Sequence, residues 1–221
     1  MRDSHPDFSA QGHGRGEPGD AGENATGRVE AFSDGVFAIA ITLLVLELHV
    51  PDRAAGVPLT AALAGQWPSY LAFLTSFATI GIMWINHHRM FTLIRRSDHT
   101  LLVLNGLLLL AITAVPFPTG LVAAYLPYRD ARTAVMVYCG TFTVIAVFFN
   151  VLWRYASSGH RLLDPRIDRQ AASAITRAYA FGPALYLASF CLAVVSAAAA
   201  LVLTVALATF FALPPRRGPT A

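Results

Sequence analysis

The chain has 221 residues, of which 55% are hydrophobic and only 13% are charged, with a formal net charge of +3. A soluble domain usually carries about 25% charged residues, so this composition excludes an ordinary soluble domain and indicates a membrane protein. Every basic Lys/Arg position is an arginine, and the arginines flank apolar segments without forming one basic face, which argues against nucleic-acid binding.

The two ends of the chain are polar. Residues 1–27 are rich in Gly, Asp and Glu and contain few apolar residues, so they are predicted to form a disordered cytoplasmic tail. This segment also lacks the apolar core of a signal peptide. Residues 214–221 are predicted to be a second, short cytoplasmic tail.

Between the tails, residues 28–213 are predicted to form one all-α membrane domain. A helix needs about 20 mostly apolar residues to cross the roughly 30 Å hydrocarbon core. The apolar run from Arg177 to Leu213 is about 55 Å long as a helix, so it is divided into two spans with a break near residues 196–200. Six spans are therefore predicted, at about 29–50, 67–92, 99–125, 133–155, 177–196 and 199–213.

The distribution of arginines predicts the orientation of these spans. Of the 16 basic residues, only Arg53, Arg129 and Arg132 fall in the loops that would lie outside if the N-terminus is cytoplasmic. Because arginine accumulates in cytoplasmic loops, both termini are predicted to face the cytoplasm.

Polar residues are predicted to meet near the cytoplasmic ends of the first three spans. Polar groups inside a membrane usually pair with one another or line a water-filled path. Trp84 and His88 are four residues apart and share a helix face, whereas the adjacent His87 and His88 point about 100° apart and have no third ligand, so no metal site is predicted. The expected network comprises Arg28, Ser33, Asp34, Trp84, His88 and Asn105.

The rest of span 1 carries an apolar stripe formed by Ile39, Thr42, Leu43 and Leu46, spaced i, i+3, i+4 and i+7. Asp34 lies about 140° around the helix from Ile39, so the polar cluster and the stripe face different neighbours. Two interpretations remain open at this point. The stripe faces a symmetry axis in an oligomer, or it packs within an ordinary helical bundle.

One motif resembles a known family. Arg28-x-x-x-Phe32-Ser33-Asp34 is similar to the R-x-x-x-F-S-D signature of the transmembrane protein 175 family, and the following G-V-F-A-I-A-I-T-L-L-V-L-E and later W-I-N-H-H-R-M-F segments agree with it. The resemblance covers about residues 28–213. It implies a potassium-permeable cation channel of the bacterial plasma membrane, without a T-V-G-Y-G filter, assembled as a homotetramer of six-span subunits.

The resemblance also implies roles for individual residues. The first span of each subunit would line a pore on the oligomer axis, with Ile39 at the narrow hydrophobic constriction and Thr42, Leu43 and Leu46 on the same face. Phe32 of the signature, with Arg28, Ser33 and Asp34, would belong to the structural network that positions this helix. Potassium would be the permeant ion, and no cofactor is implied.

Two other classes of protein compete with a channel. A secondary transporter usually shows internal repeats or helices broken near the midplane; span 3 contains Pro116 and Pro118, but no other span has a matching break. A membrane enzyme would need a nucleophile and an acid on opposite sides of a histidine. Ser33 and Asp34 are neighbours on one helix, so catalysis is not expected.

Overall fold

The computed structural model describes residues 18–52, 56–167 and 169–212. Within these ranges the regular structure is helical, apart from one isolated bridge between Ile94 and Leu163. The helices are α1 (Pro18–Leu43), α2 (Leu59–Gly65), α3 (Trp67–Phe91), α4 (His99–Thr113), α5 (Pro116–Tyr125), α6 (Ala131–Ser157), α7 (Arg169–Ala180), α8 (Gly182–Val195) and α9 (Ala197–Ala212). A short 3-10 segment, Leu44–Glu47, continues α1.

Five helical segments are long and apolar enough to cross a bilayer: Thr26–Glu47, Trp67–Phe91, His99–Tyr125, Ala131–Ser157 and Ile175–Val195. A sixth apolar helix, Ala197–Phe211, is shorter. Each of the six predicted spans thus has a helix at the corresponding place in the chain.

The start of α1 corrects the prediction that residues 1–27 are disordered, because residues 18–27 are helical. Pro18 is compatible with a first helical turn, where its missing N–H needs no partner. Residues 1–17 and 213–221, which include the rest of both predicted tails, lie outside the described residues.

Two predicted spans contain internal breaks that proline explains. The third span is divided into α4 and α5 just before Pro116, and the fifth into α7 and α8 just before Pro183. Proline lacks an N–H and clashes with the carbonyl one turn earlier, so a continuous helix cannot pass through it unchanged. The fifth and sixth spans separate at Ser196, whose backbone is extended and whose hydroxyl accepts a 3.3 Å hydrogen bond from the Ala199 N–H.

Helix α6 lies at the centre of the bundle and packs against α4, α5, α8 and α9. Buried hydroxyls join these helices, as polar groups commonly do between membrane helices. The Ser76 hydroxyl of α3 lies 2.8 Å from the Thr119 hydroxyl of α5 and 3.0 Å from the Tyr138 hydroxyl of α6. These contacts hold the helices that support α1.

The segment between α3 and α4 is fastened to the segment that follows α6. The Arg95 N–H donates to the Leu162 carbonyl at 2.9 Å, and the Asp164 N–H donates to the Leu93 carbonyl at 3.0 Å. The Arg95 Nε lies 2.9 Å from the Asp164 Oδ2. We call these contacts the loop latch, defined by Leu93, Ile94, Arg95, Leu162, Leu163 and Asp164.

Candidate functional site

Helix α1 has two faces with opposite environments. One face is buried against α3 and α4, and its continuation in the 3-10 segment against α3 and α5; it contains Ser33, Phe37, Ala40 and Leu44. Their spacing of four, three and four residues defines a single stripe of a helix. The opposite face is exposed and contains Phe32, Gly35, Ile39, Thr42, Leu43 and Leu46. The first span is therefore held from one side only.

Two side-chain hydrogen bonds fasten the buried side of α1 to its neighbours. The Trp84 Nε1–H of α3 donates to the Asp34 Oδ1 at 2.8 Å. The Asn105 Nδ2 of α4 donates to the Ser33 Oγ at 2.9 Å. Adjacent residues of the R-x-x-x-F-S-D motif thus contact two different helices, which explains why both positions carry polar groups. We call these two contacts the anchors of α1.

The Asn105 anchor extends to His87, which is fully buried. The His87 Nε2 lies 2.9 Å from the Asn105 Oδ1, and the Ser33 hydroxyl donates to the Val29 carbonyl at 2.8 Å. Because the Asn105 amide nitrogen donates to Ser33, its oxygen must accept from His87, so the Nε2 atom carries the imidazole proton. The chain of donors then runs in one direction from α3 through α4 to the backbone of α1.

The other ring nitrogen of His87 has no hydrogen-bond partner among the described residues. Aromatic rings surround the imidazole: Phe91 stacks on it at 4.4 Å between ring centroids, Phe37 lies at 5.3 Å and Phe149 at 6.4 Å. A polar ring in such an apolar cage is stabilised mainly by its one good hydrogen bond. His87 is therefore a buried positioning residue.

His88 does not take the place predicted for it beside Asn105. Its Nδ1 lies 2.7 Å from the Glu30 Oε1, and its ring stacks on Trp84 at 6.2 Å. Adjacent residues of a helix point about 100° apart, so only one of the two histidines can face Asn105. His88 therefore borders the Trp84–Asp34 anchor, while His87 completes the other.

Arg28 and Phe32 also differ from the expected network. Phe32 is 67% exposed on the unpartnered face of α1. Arg28 is exposed too, and within the described ranges no hydrogen bond or ion pair joins it to the other predicted members. The structure thus brings Ser33 to Asn105 and Asp34 to Trp84, with His88 at the edge, and leaves Arg28 and Phe32 apart.

The predicted stripe lies on the exposed face of α1. Ile39 is 58% exposed and Leu46 is 66% exposed, and Thr42 and Leu43 are exposed between them. The change from α to 3-10 geometry at Leu44 keeps Leu43 and Leu46 aligned, because residues three apart eclipse in a 3-10 helix. The Thr42 hydroxyl donates to the Ile39 carbonyl at 2.9 Å.

Sequence reasoning missed His87 and Glu30. The periodicity of span 2 contains a signal for the first: Ser76, Ile80, Met83, His87 and Met90 follow one stripe, and all are buried. A histidine in phase with the apolar positions points into the bundle. Glu30 carries a weaker signal, since it lies one turn before Asp34 on the side that approaches α3.

Comparisons with known proteins agree with this geometry. Residues 28–116, which contain both anchors and the stripe, match the family model described as "Endosomal/lysosomal potassium channel TMEM175". A protein of Chamaesiphon minutus named as a potassium channel is 53% identical over 193 residues, which cover 86% of this chain and 95% of the relative. A protein of Streptomyces collinus, also named as a potassium channel, is 46% identical and covers 79% of this chain and 85% of its own length.

A solved structure is similar as well. The crystal structure of a lysosomal potassium-selective channel TMEM175 homologue from Chamaesiphon minutus aligns with a TM-score of 0.79 and 51% sequence identity. The alignment covers 86% of this chain and 97% of the crystallised one. The described helices thus have the arrangement of a multi-pass membrane channel.

Proposed function

The chain belongs to the TMEM175 family, and from that premise we propose that it is a potassium-permeable cation channel of the bacterial plasma membrane. The observation that carries the proposal is the unpartnered face of α1. It is exposed from Phe32 to Leu46, whereas the opposite side of α1 is held by the two anchors. A helix held in this way presents a rigid surface that faces away from its own subunit.

We propose that four copies of the chain place this wall on a common axis. The relatives named as potassium channels support the presence of a pore. A pore-lining helix must be held by its own subunit on the side that faces away from the ion path. Closed rotational symmetry brings the same face of every subunit to the axis. The stripe of Ile39, Thr42, Leu43 and Leu46 then lines the ion path.

The side chains of the stripe suggest how ions pass. A ring of Ile39 side chains forms an apolar constriction, which resists hydration and sets a dewetting barrier for any small cation. One turn further, the Thr42 hydroxyl uses its proton in the bond to the Ile39 carbonyl. Its oxygen lone pairs therefore remain available to a cation, which allows partial replacement of the hydration shell without a T-V-G-Y-G filter.

The anchors supply the rigidity that such a pore needs. Ion selectivity in a narrow path depends on where the lining atoms lie, and a shift of the whole helix would change every ring at once. The Trp84–Asp34 and Asn105–Ser33 hydrogen bonds restrain α1 near the end opposite Leu46. The excess of arginines in alternate loops supports an orientation in which this anchored end and both termini face the cytoplasm.

The test is a recording from purified protein in planar bilayers with potassium on one side and sodium on the other. A channel gives unitary current steps and a reversal potential displaced toward potassium. Saturable, ion-coupled flux without unitary steps would identify a transporter and contradict the proposal. Cross-linking in the bilayer counts the subunits, and a ladder that ends at four copies is expected.

A further inference from the structure

A crevice separate from α1 lies between α3, α6, α8 and α9. It offers about 50 Å³ of room and opens at the bundle surface. Its lining is almost entirely apolar, with Met83 and Ile82 of α3, Phe149 of α6, Tyr186 of α8 and Phe211 of α9. One water needs roughly 10–15 Å³ of such space, so the crevice holds several groups of that size.

The walls of the crevice are flat and rigid. Tyr186 and Phe211 stack with ring centroids 6.3 Å apart and an interplanar angle of 17°. Phe149 and Tyr179 stack at 6.5 Å with an angle of 29°. Stacked rings present broad faces and cannot collapse into the space between them. A slender hydrocarbon chain matches the shape of a slot between such faces.

One polar side chain breaks the apolar lining. The half-buried Asn86 lines the crevice, and its amide makes no hydrogen bond within the part of the chain that the structure describes. The Thr79 hydroxyl also lines the crevice but donates to the Thr75 carbonyl at 2.7 Å, so it is satisfied within its own helix. An amide left unpaired in an apolar medium is destabilising by several kcal/mol. Asn86 therefore needs a partner from outside the subunit.

The position of Asn86 along α3 indicates what that partner is. It lies five residues before the end of the helix at Phe91, or about 7.5 Å along the axis, and Thr79 lies about 10 Å deeper. The polar group thus sits near the headgroup level and the apolar lining extends toward the middle of the bilayer. A phospholipid has the same order of groups, because its polar ester groups lie near the headgroup and its acyl chains extend toward the middle of the bilayer.

We propose that the crevice binds one acyl chain of a phospholipid from the nearer leaflet, with an ester carbonyl accepting a hydrogen bond from the Asn86 amide. The chain lies between the Tyr186–Phe211 and Phe149–Tyr179 pairs. Helices α3, α6, α8 and α9 surround the site. Its apolar lining offers few hydrogen-bond partners, so water is not expected to fill it. The inference rests on the described fold and does not depend on ion conduction.

The test uses a phospholipid that carries a diazirine on one acyl chain, added as a small fraction to nanodiscs that contain the intact protein. After irradiation, mass spectrometry of peptides locates the adducts. Val202 on α9, 71% exposed, serves as the reference for ordinary contact with lipid. In the wild type we expect adducts at Met83 and Tyr186 in excess of those at Val202.

Three variants then test the site itself. Ala146→Leu fills the crevice from α6, so the adducts at Met83 and Tyr186 should fall to the reference level. Val147→Leu adds a methylene at the neighbouring exposed position and should leave them unchanged. Asn86→Leu removes the amide and should reduce crevice adducts without changing those at Val202, which keeps the test valid if Ala146→Leu does not fold.

Two results would overturn the inference. One is a wild-type crevice without adducts while Val202 is labelled, because the site would then be covered by protein, such as a second copy of the chain. The other is crevice labelling that survives both Ala146→Leu and Asn86→Leu in protein that elutes like the wild type. Either result leaves the proposed channel function untouched, since bilayer currents are measured separately.

Discussion

The indole N–H of Trp84 donates a 2.8 Å hydrogen bond to the Asp34 carboxylate, joining α3 to α1 across 50 residues of sequence. Trp84 is 40% exposed and Asp34 is half-buried, and the His88 ring stacks on the indole. The bond therefore lies at the rim of the bundle, where water or headgroups compete with it. Its strength comes from the charge on the acceptor.

The first prediction concerns this bond. Trp84→Phe keeps an aromatic ring against His88 but removes the donor, so the free energy of unfolding should fall by about 1–3 kcal/mol. Thermal unfolding of detergent-solubilised protein, followed by size-exclusion chromatography, measures the change. Trp67→Phe at the exposed start of the same helix is the matched control and should shift the midpoint little. Equal shifts in both variants would show that the bond contributes nothing.

The second prediction concerns the buried chain of His87, Asn105 and Ser33. Asn105→Leu leaves the His87 N–H and the Ser33 hydroxyl without that partner, which should destabilise the protein by about 1–3 kcal/mol per unpaired group. His87→Phe added to Asn105→Leu should be less harmful than His87→Phe alone, because the lost partner is already gone. A double-mutant cycle on the unfolding free energy gives the coupling. A coupling of zero would show that the His87–Asn105 hydrogen bond contributes nothing to stability.

Span length and apolar composition are local properties, so each predicted span has a helix at its place in the chain, although the sixth, Ala197–Phe211, is shorter than a full span. The break at Ser196 lies inside the interval predicted from length alone, since 37 residues cannot fit one bilayer core. The breaks before Pro116 and Pro183 follow from covalent chemistry and need no tertiary information. Residues 18–27 were mispredicted because their composition is polar, while the helix that follows them extends its register backward through them.

The site is harder to predict because it depends on which way a side chain turns. His87 and His88 are adjacent, and one residue of rotation decides which of them faces Asn105. A sequence motif does not show in which direction each of its side chains points. Ser33 contacts α4 and Asp34 contacts α3, whereas the neighbouring Phe32 is exposed on the other face of α1. The sequence predicts how deep a residue lies in the membrane, but it does not predict the direction in which its side chain points around the helix axis.

The third prediction concerns the 3-10 segment that continues α1, where Glu47 packs against Gly120 of α5. A Cβ atom at Gly120 would lie 2.5 Å from the Glu47 Oε2, so Gly120→Ala should displace that carboxylate. The displaced atoms are the end of a flexible side chain, so the loss of stability should be less than about 1 kcal/mol. In a Glu47→Ala background the same change should become stabilising, because alanine favours a helix over glycine by roughly 0.5–1 kcal/mol. Additive effects in the two backgrounds would show that the contact is unimportant.

The fourth prediction concerns pH and the loop latch. The Arg166 backbone N–H, and then the Arg95 side chain, hold the pKa of Asp164 below its usual value of 3.8. A carboxyl whose pKa is lower in the folded state contributes stability above the unfolded pKa, and this stability is lost as the pH falls through the folded pKa. The latch should therefore remain closed at neutral pH and loosen progressively as the pH falls below the unfolded pKa of 3.8.

Hydrogen exchange tests the latch directly. After correction for intrinsic rates, protection of the Arg95 and Asp164 amides should fall at acid pH, while amides in the middle of α6 should keep theirs. Asp164→Asn should show the weaker protection already at pH 7, with little further dependence on acid. Wild-type latch protection that stays unchanged at the lowest pH at which the α6 amides keep theirs would contradict the role of this carboxylate.

The last prediction is that Ile39 forms the barrier to ions. Ile39 is the first residue of the predicted stripe. The anchors at Ser33 and Asp34, about one turn earlier in α1, fix the rotation of the helix about its axis and so the direction of Ile39. Because a ring of apolar side chains excludes water, Ile39→Asn should lower the dewetting barrier for every small cation. Current should rise, and the preference for potassium over sodium should weaken.

The matched control for Ile39→Asn is Leu110→Asn on α4. Leu110 is 66% exposed against 58% for Ile39, so the two substitutions place the same amide at similarly exposed apolar positions. Conductance and reversal potential are compared in planar bilayers at equal protein, with the oligomeric state of each variant checked first. If Leu110→Asn leaves both quantities at their wild-type values and Ile39→Asn changes both, the stripe is the pore wall. If Ile39→Asn assembles normally and alters neither, the exposed face of α1 is turned toward lipid and the ion path lies elsewhere.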